Sequence, residues 1–231
     1  MNCQSNGRVA GLLQSLRRVS TGVACVVPLV LAACGGDATS PSSHAPHAAR
    51  PNPAGLPTGQ CLGQLSGRGV DYRRIDDFGS RDGCGITTAI EFTASTAALN
   101  QPATLGCPLA LALNDYERQV LQPLAQRYFG QHVARIHHLG AYSCRARSGN
   151  SGRLSEHAKG RAIDISAFEL ADGTIIRVET DWHGRGDRRR FVRAAARGAC
   201  DLFQVVLSPN HDRAHHDHLH FDIGPWRLCK P

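Results

Sequence analysis

Two short segments combine histidine and acidic residues at spacings that suit a metal ion. The first is residues 155–164, with the sequence SEHAKGRAID, and the second is residues 215–222, with the sequence HHDHLHFD. In the first segment Gly160 permits a tight turn, so His157 in a loop can fold back toward Asp164 on the strand that follows. This segment therefore predicts one nitrogen ligand and one oxygen ligand.

The second segment predicts a further nitrogen ligand. His218 and His220 alternate with apolar residues, so on a strand both imidazoles leave from the same face. We expect His220 to bind the ion and His218 to stand beside it. With His157 and Asp164, this makes a three-ligand set that leaves the fourth tetrahedral position to water, as in catalytic zinc sites. The implied cofactor is a single Zn²⁺ ion, which would lower the pKa of that water toward roughly 7.

A water nucleophile also needs a proton acceptor, and Asp217, His218 and His215 are the candidates. A different interpretation is that the histidine-rich run is a loose metal-binding tract. The alternation of histidine with Leu219 and Phe221 is instead typical of a strand. The remaining histidines of the domain are interpreted as exposed or hydrogen-bonded residues rather than ligands: His132, His137, His138 and His183.

The elements that position these residues can be predicted from the spacing of apolar side chains. Residues 109–128 carry apolar side chains at intervals of three and four, which predicts an amphipathic helix bent or broken near Pro123. A second helix is predicted over residues 187–200, with Asp187 as its cap. The inner face of that helix is predicted to consist of Phe191, Val192, Ala195 and Ala199.

Several apolar runs predict strands. They are residues 87–92, 133–139, 161–168, 174–178, 202–207 and 218–223. Because helices and strands do not strictly alternate, an α+β fold is expected. We expect an antiparallel sheet that holds Asp164, His218 and His220 on one face, with helices packed on the other.

The beginning of the chain is interpreted as an export signal. Residues 1–33 end in an uncharged apolar run that is shorter than the roughly 20 residues of a membrane-spanning helix. The sequence LAACG at residues 31–35 is typical of a lipoprotein signal, in which Cys34 is acylated and becomes the amino terminus. An ordinary secretory signal is the alternative. We expect a periplasmic, lipid-anchored protein, and Gly35 after the cysteine favours the outer membrane.

Composition divides the remainder into a tether, residues 34–59, and a folded domain, residues 60–231. Removing the three arginines of the signal leaves 23 Lys/Arg against 19 Asp/Glu, so the mature charge is only +4. Together with export, this mild charge argues against a nucleic-acid partner. Six cysteines remain in the domain, and an even number in an oxidising compartment predicts three disulfides of undetermined pairing.

The paired motifs also carry a family resemblance. S-x-H-x-x-G-x-A-x-D, followed about fifty residues later by D-H-x-H, resembles the zinc peptidases grouped with lysostaphin, the D-Ala-D-Ala metallopeptidases and the hedgehog signalling domain. Within that group, residues 84–222 resemble the bacterial extensin-like carboxy-terminal domain family, including YSCR at residues 142–145. The resemblance implies that His157, Asp164 and His220 are the zinc ligands and that Ser155 positions the first ligand's loop.

The resemblance also bears on proton transfer. Many members carry glutamate three residues before the last ligand, where this chain has Asp217, whereas those resembling the penicillin-insensitive murein endopeptidase carry histidine two residues before it, which matches His218. We favour His218 as the base, with Asp217 next. Arg145 lies near the arginine that polarises the scissile carbonyl or holds a substrate carboxylate. In the usual motif, however, the tyrosine and the arginine are adjacent, whereas Ser143 and Cys144 separate Tyr142 from Arg145 here. A structural or surface arginine is therefore the alternative.

The expected function is zinc-dependent hydrolysis of peptide bonds in peptidoglycan stem peptides, by a monomer of endopeptidase or D,D-carboxypeptidase type. Two alternatives have a different character. One is a non-catalytic zinc-containing module that binds the cell wall, since hedgehog relatives use a zinc site for binding. The other is a periplasmic zinc-buffering protein, which would exchange its metal readily.

Overall fold

The computed structural model describes residues 55–147 and 150–231. The predicted export signal, Cys34 and most of the predicted tether lie outside the described residues. Helix α1 begins at Thr58, inside the last residues assigned to that tether. In the described part of the chain, no helix has the length and hydropathy that crossing a bilayer requires.

The described residues form thirteen strands. In chain order they are β1 (Asp71–Arg74), β2 (Phe78–Gly79), β3 (Gly85–Ile86), β4 (Ala89–Ala94), β5 (Ala98–Gly106), β6 (Val133–Gly140), β7 (Ala146–Arg147), β8 (Asn150–Leu154), β9 (Ala162–Leu170), β10 (Ile175–Arg177), β11 (Val205–Leu207), β12 (Leu219–Asp222) and β13 (Leu228–Lys230). One nine-stranded sheet has the order β1-β4-β5-β6-β9-β12-β11-β13, with β10 also paired to β9. Strands β2 with β3 and β7 with β8 form separate hairpins.

All six predicted strands are present, but the sheet is mixed rather than wholly antiparallel. Strand β5 runs parallel to β6, and β11 runs parallel to β13, while the other neighbours are antiparallel. The first parallel pair follows from its connection, because helical residues 107–129 carry the chain back across the sheet between the two strands. Strand β5 itself was missed in the prediction because Pro102 interrupts its pattern.

The helices are α1 (Thr58–Gly67), α2 (Cys107–Tyr116), α3 (Gln122–Phe129), α4 (Val178–Asp181) and α5 (Gly186–Ala199). The helix predicted to be bent or broken near Pro123 is interrupted there by a π-helical turn, Glu117–Leu121, between α2 and α3. The backbone stays helical through this turn. Proline lacks the N–H that a continuous helix would need there, and it lies in the first turn of α3.

Helix α5 matches the second predicted helix closely, and its predicted inner residues are buried. The predicted cap is wrong. The residue at the cap position is Arg185, which makes no side-chain capping bond. Asp187 lies inside the first turn, where its carboxylate pairs with Arg190 at 2.6 Å. A carboxylate there is still favourable, since it faces the positive end of the helix dipole.

The two faces of the sheet have different roles near β9 and β12. Ile163 and Ile165 on β9, and Leu219 and Phe221 on β12, are buried in the core against the helices. Phe221, for example, packs against Tyr116 of α2 with ring centroids 5.2 Å apart. Because side chains alternate along a strand, the residues between them project from the opposite face. That face carries the polar residues of both predicted motifs.

The predicted three disulfides are present, and the structure supplies their pairing. Cys61–Cys107 joins α1 to α2, Cys84–Cys144 joins the β2–β3 hairpin to the segment before β7, and Cys200–Cys229 joins the end of α5 to β13. Each closes a chain segment of 29 to 60 residues, so each is expected to stabilise the fold by about 2–4 kcal/mol.

Candidate metal centre

A tight turn and a strand pairing bring the predicted ligands together. His157 lies in a 3₁₀ turn, Glu156–Lys159, that is capped by Ser155. The Oγ of Ser155 accepts a hydrogen bond from the N–H of His157 at 3.4 Å. The turn ends at Gly160 in the left-handed region, and the chain then enters β9, which carries Asp164. Strand β12 pairs with β9 so that His220 stands directly opposite Asp164.

The three side chains converge on one point. His157 Nε2 lies 3.2 Å from Asp164 Oδ2 and 3.2 Å from His220 Nδ1, and His220 Nδ1 lies 2.9 Å from Asp164 Oδ1. Ligand atoms on a tetrahedral ion with bonds of roughly 2.0–2.1 Å are about 3.3 Å apart. His157 is 2% exposed and His220 is 9% exposed. These three residues form a group, here called the His/Asp/His group, that could hold a metal ion.

The outer nitrogen of each imidazole has a partner that orients the ring. His157 Nδ1 lies 2.6 Å from the carbonyl oxygen of Ala141, to which it donates a hydrogen bond. His220 Nε2 lies 3.2 Å from Asp222 Oδ2, and the other oxygen of Asp222 accepts from Gly224 N–H at 2.9 Å. Partners of this kind are usual behind metal-bound histidines, where they fix the ring and its tautomer.

The hydrogen-bond acceptors around the two imidazoles favour a cation within the group. Both outer nitrogens face acceptors, so both carry protons, yet both inner nitrogens face the carboxylate of Asp164, which is also an acceptor. Without a cation, each imidazole would need a second proton, and two imidazolium nitrogens 3.2 Å apart would repel each other. One divalent ion at the centre would satisfy all three side chains.

The acid–base properties of the group reflect the same contacts. Burial opposes ionisation of Asp164, but hydrogen bonds from His157 and His220 outweigh it and hold the pKa of its carboxyl well below the usual range. Burial also disfavours protonation of His220, yet its hydrogen bonds to Asp164 and Asp222 raise its pKa to about 9. Coordination through Nδ1 of His220 would therefore release a proton.

The candidate bases lie on one side of the His/Asp/His group. His218 Nε2 is 3.6 Å from Asp164 Oδ1, and His218 Nδ1 is hydrogen-bonded to Asp217 Oδ1 at 2.8 Å. His218 immediately precedes β12 rather than lying in it, so the predicted strand began one residue too early. His215 packs beside His218, with ring centroids 5.2 Å apart, and its Nδ1 bonds to Asp212 at 2.7 Å. Thus His218 is the candidate nearest to Asp164, and Asp217 stands behind it.

Arg145 lies on the open side of the group. Its guanidinium Nη2 is 4.0 Å from Asp164 Oδ2, and its side chain is 45% exposed. The neighbouring disulfide from Cys144 to Cys84 and the packing of Tyr142 against Phe78, at 5.0 Å between ring centroids, anchor the segment. The two residues between Tyr142 and Arg145 therefore do not prevent the guanidinium from reaching the group.

Some partners of the site were missed by sequence reasoning, and other histidines lie apart from it. Asp222 continues the alternation of His218 and His220 on the same strand face, so that alternation could have indicated it; nothing local indicates the carbonyl of Ala141. Two histidines that were not predicted to be ligands have other partners. His137 pairs with Glu169 at 2.9 Å, and His138 bonds to the carbonyl of Gln101 at 3.0 Å.

The fold and the site define an α+β domain whose mixed sheet carries a buried His/Asp/His group able to hold a metal ion. The chain belongs to the family described as the extensin-like protein C-terminus, whose model matches residues 59–230. That match includes every residue of the group and its neighbours. No curated protein and no solved structure matches the chain.

The turn after His157 depends on Gly160, and Gly160→Ala is expected to destabilise the protein by roughly 2–4 kcal/mol. Its φ is +60°, and an added Cβ would lie 2.5 Å from Ile86 Cδ1, so alanine would meet both backbone strain and a steric clash. Urea denaturation measures the change. Gly130→Ala is the matched control, because φ is +65° but no atom lies within 4 Å of the added Cβ. Equal decreases in the free energy of unfolding for the two variants would contradict a role for the Ile86 contact.

Asp222→Asn is expected to weaken metal binding about 10- to 100-fold. Its amide group would donate to His220 Nε2, which favours the tautomer with a proton on Nδ1, the nitrogen that faces the metal position. Competition with a chromophoric chelator measures the affinity. Asp212→Asn is the control, because Asp212 bonds to His215 and not to a ligand. Unchanged affinity in Asp222→Asn would remove Asp222 from the site.

Proposed function

We propose that this protein is a zinc-dependent hydrolase of peptide bonds in peptidoglycan, acting as a monomer of endopeptidase or D,D-carboxypeptidase type. The observation that carries the proposal is the His/Asp/His group with the paired Asp217 and His218 beside it. Two imidazoles and one carboxylate suit zinc and leave a coordination position for water, as in catalytic rather than structural sites. The resemblance of both motifs to zinc peptidases supports the same assignment.

In the proposed reaction, His157, Asp164 and His220 would hold the zinc ion. Zinc bound there would supply Lewis acidity, which makes hydrolysis by water feasible at neutral pH. His218 would act as general base through Nε2 and would then pass the proton to the leaving amine. Asp217, 2.8 Å from His218 Nδ1, would hold that nitrogen in its protonated form and leave Nε2 free to accept. Arg145 would donate to the developing oxyanion or to a substrate carboxylate.

The test is incubation of the zinc-loaded protein with intact sacculi, followed by mass analysis of the released fragments. New amine and carboxyl ends at stem-peptide bonds are the expected result, and their position would identify the bond. The His157→Ala variant is the matched control for contaminating hydrolases. Co-sedimentation with sacculi without release of fragments would indicate a wall-binding module, and rapid loss of zinc to weak chelators would indicate a buffering protein.

We also propose that the protein is periplasmic and lipid-anchored, and this rests on the cysteine after the apolar run of residues 19–33. Cys34→Ala is expected to move the protein from the outer-membrane fraction to the soluble periplasm and to remove the acyl mass from its amino terminus. Fractionation with mass spectrometry measures both effects. Cys25→Ala, within the same apolar run, should change neither. A soluble, unacylated wild-type protein would instead indicate an ordinary secretory signal.

A further inference from the structure

A groove lies beside the His/Asp/His group, on the same face of the sheet. Strand β9 pairs with β6 along one edge, and along its other edge it pairs first with β12 and then with β10. The groove lies over this second part and has a volume of about 250 Å³. Ser166, two residues beyond Asp164, lines its floor, so at ~3.3 Å per residue the groove begins roughly 7 Å from that carboxylate. Asp217, the partner of His218, lines the near end.

The walls of the groove offer apolar surface and charges of both signs. Leu139 of β6 is 56% exposed and offers apolar surface on one wall. Arg177, at the end of β10, and Glu179, in the first turn of α4, are exposed on the opposite wall.

These two charges are available to a ligand. Within residues 55–147 and 150–231, neither the guanidinium of Arg177 nor the carboxylate of Glu179 has a hydrogen-bond or ion-pair partner. The backbone of Arg177 donates to Asp181 and pairs with Ala167 of β9. By contrast, Glu169 on the same sheet already pairs with His137. A cation and an anion that are both unpaired, next to an apolar contact, suit a ligand that carries both charges on a short aliphatic chain.

We propose that this groove binds a substrate residue whose side chain ends in a zwitterion, with an ammonium and a carboxylate on one carbon. Arg177 would bind the carboxylate, for which the planar guanidinium is well shaped, and Glu179 would bind the ammonium. Leu139 would contact the aliphatic part of the peptide. The proposal rests on the proposed function, because the groove selects a substrate only if the hydrolysed peptide passes the His/Asp/His group.

The experiment compares two synthetic stem pentapeptides that differ only at the third residue, which is either meso-diaminopimelate or lysine. Lysine keeps the ammonium and lacks the carboxylate. The zinc-loaded full chain is tested for binding of each peptide, from the Kd, and for hydrolysis of each peptide, from kcat/KM. The wild type is expected to bind the diaminopimelate peptide roughly tenfold more tightly, the scale of one charge-assisted hydrogen bond.

Variants separate the two charges. Arg177→Gln is expected to raise the Kd of the diaminopimelate peptide roughly tenfold and to leave the Kd of the lysine peptide unchanged. Glu179→Gln should raise the Kd of both peptides by a similar factor. Circular dichroism checks that each variant is folded. Arg177→Lys keeps a positive charge, so it should retain part of the preference for the diaminopimelate peptide over the lysine peptide. Arg189→Gln is the matched control, because Arg189 is an exposed arginine of α5 that does not line the groove. It should leave the Kd of both peptides unchanged.

The outcomes distinguish this proposal from the proposed function. Hydrolysis of both peptides with equal kcat/KM and equal Kd would overturn the groove assignment and leave the hydrolase standing. A preference in Kd that depends on Arg177, without hydrolysis of these peptides or release of fragments from intact sacculi, would support the groove and overturn the hydrolase. An equal effect of Arg177→Gln on both peptides would show only general electrostatic attraction and would overturn the groove assignment. Failure to bind either peptide would overturn the groove assignment, and it would overturn the hydrolase as well if intact sacculi release no fragments.

Discussion

Replacing His157, Asp164 or His220 with alanine is expected to abolish tight zinc binding. Two remaining ligands rarely hold zinc against a chelator, so each loss should exceed the ~10- to 100-fold expected for the outer partner Asp222. The wild type should retain a single ion in the His/Asp/His group, the one such cluster within residues 55–147 and 150–231. Elemental analysis after dialysis against a chelator measures the zinc content of each variant.

The matched control for this series is His137→Ala. His137 is a partly buried histidine of the same sheet, but its Nε2 pairs with Glu169 at 2.9 Å and does not reach the group. The zinc content of His137→Ala should equal that of the wild type. Full zinc occupancy in a folded variant of one of the three ligands would remove that residue from the site, and full occupancy in all three would refute the metal centre.

His218→Ala is expected to keep the zinc ion and to lower the rate of peptide-bond hydrolysis by ~10²- to 10⁴-fold. The imidazole lies 3.6 Å from Asp164 Oδ1 but is not needed for the three-ligand set, so binding and turnover should separate. Asp217→Ala should have a smaller effect, because that residue orients His218 and alanine does not impose the opposite tautomer on its ring. A loss in Asp217→Ala as large as in His218→Ala would indicate that the carboxylate is the base. Timed release of fragments from sacculi, together with zinc content, measures both quantities.

His216→Ala is the control for this second prediction. His216 belongs to the same histidine-rich run, but its side chain is 63% exposed and its Nδ1 bonds to the carbonyl of Arg213 at 3.0 Å. The rate of peptide-bond hydrolysis by His216→Ala should match that of the wild type. Catalysis would be refuted by a wild-type protein that holds zinc and binds sacculi yet releases no fragments from walls of several chemotypes. The wall-binding module would then be the better interpretation.

Much of the local structure around the site could be predicted from neighbouring residues. Gly160 marks the end of the turn after His157, because a left-handed residue closes it and few residues other than glycine adopt that conformation readily. The alternation of Asp222 and His220 with Phe221 and Leu219 separates the polar face of β12 from its core face. These features depend on interactions within a few residues, and the sequence records them directly. The same holds for the interruption of the α-helix just before Pro123.

The paired motifs predicted that these segments meet, but only the tertiary structure decided how they do so. Asp164 and His220 are 56 residues apart, and they become neighbours because β9 pairs with β12 in one register. That register depends on how Ile163, Ile165 and Phe221 pack against the helices, a long-range choice that local propensity does not encode. The cysteine pairing, the parallel strand pairs and the partner of His157 at Ala141 were undetermined for the same reason. The sequence by itself thus determined the ligand types and their local geometry, whereas packing of the core determined that they form one site.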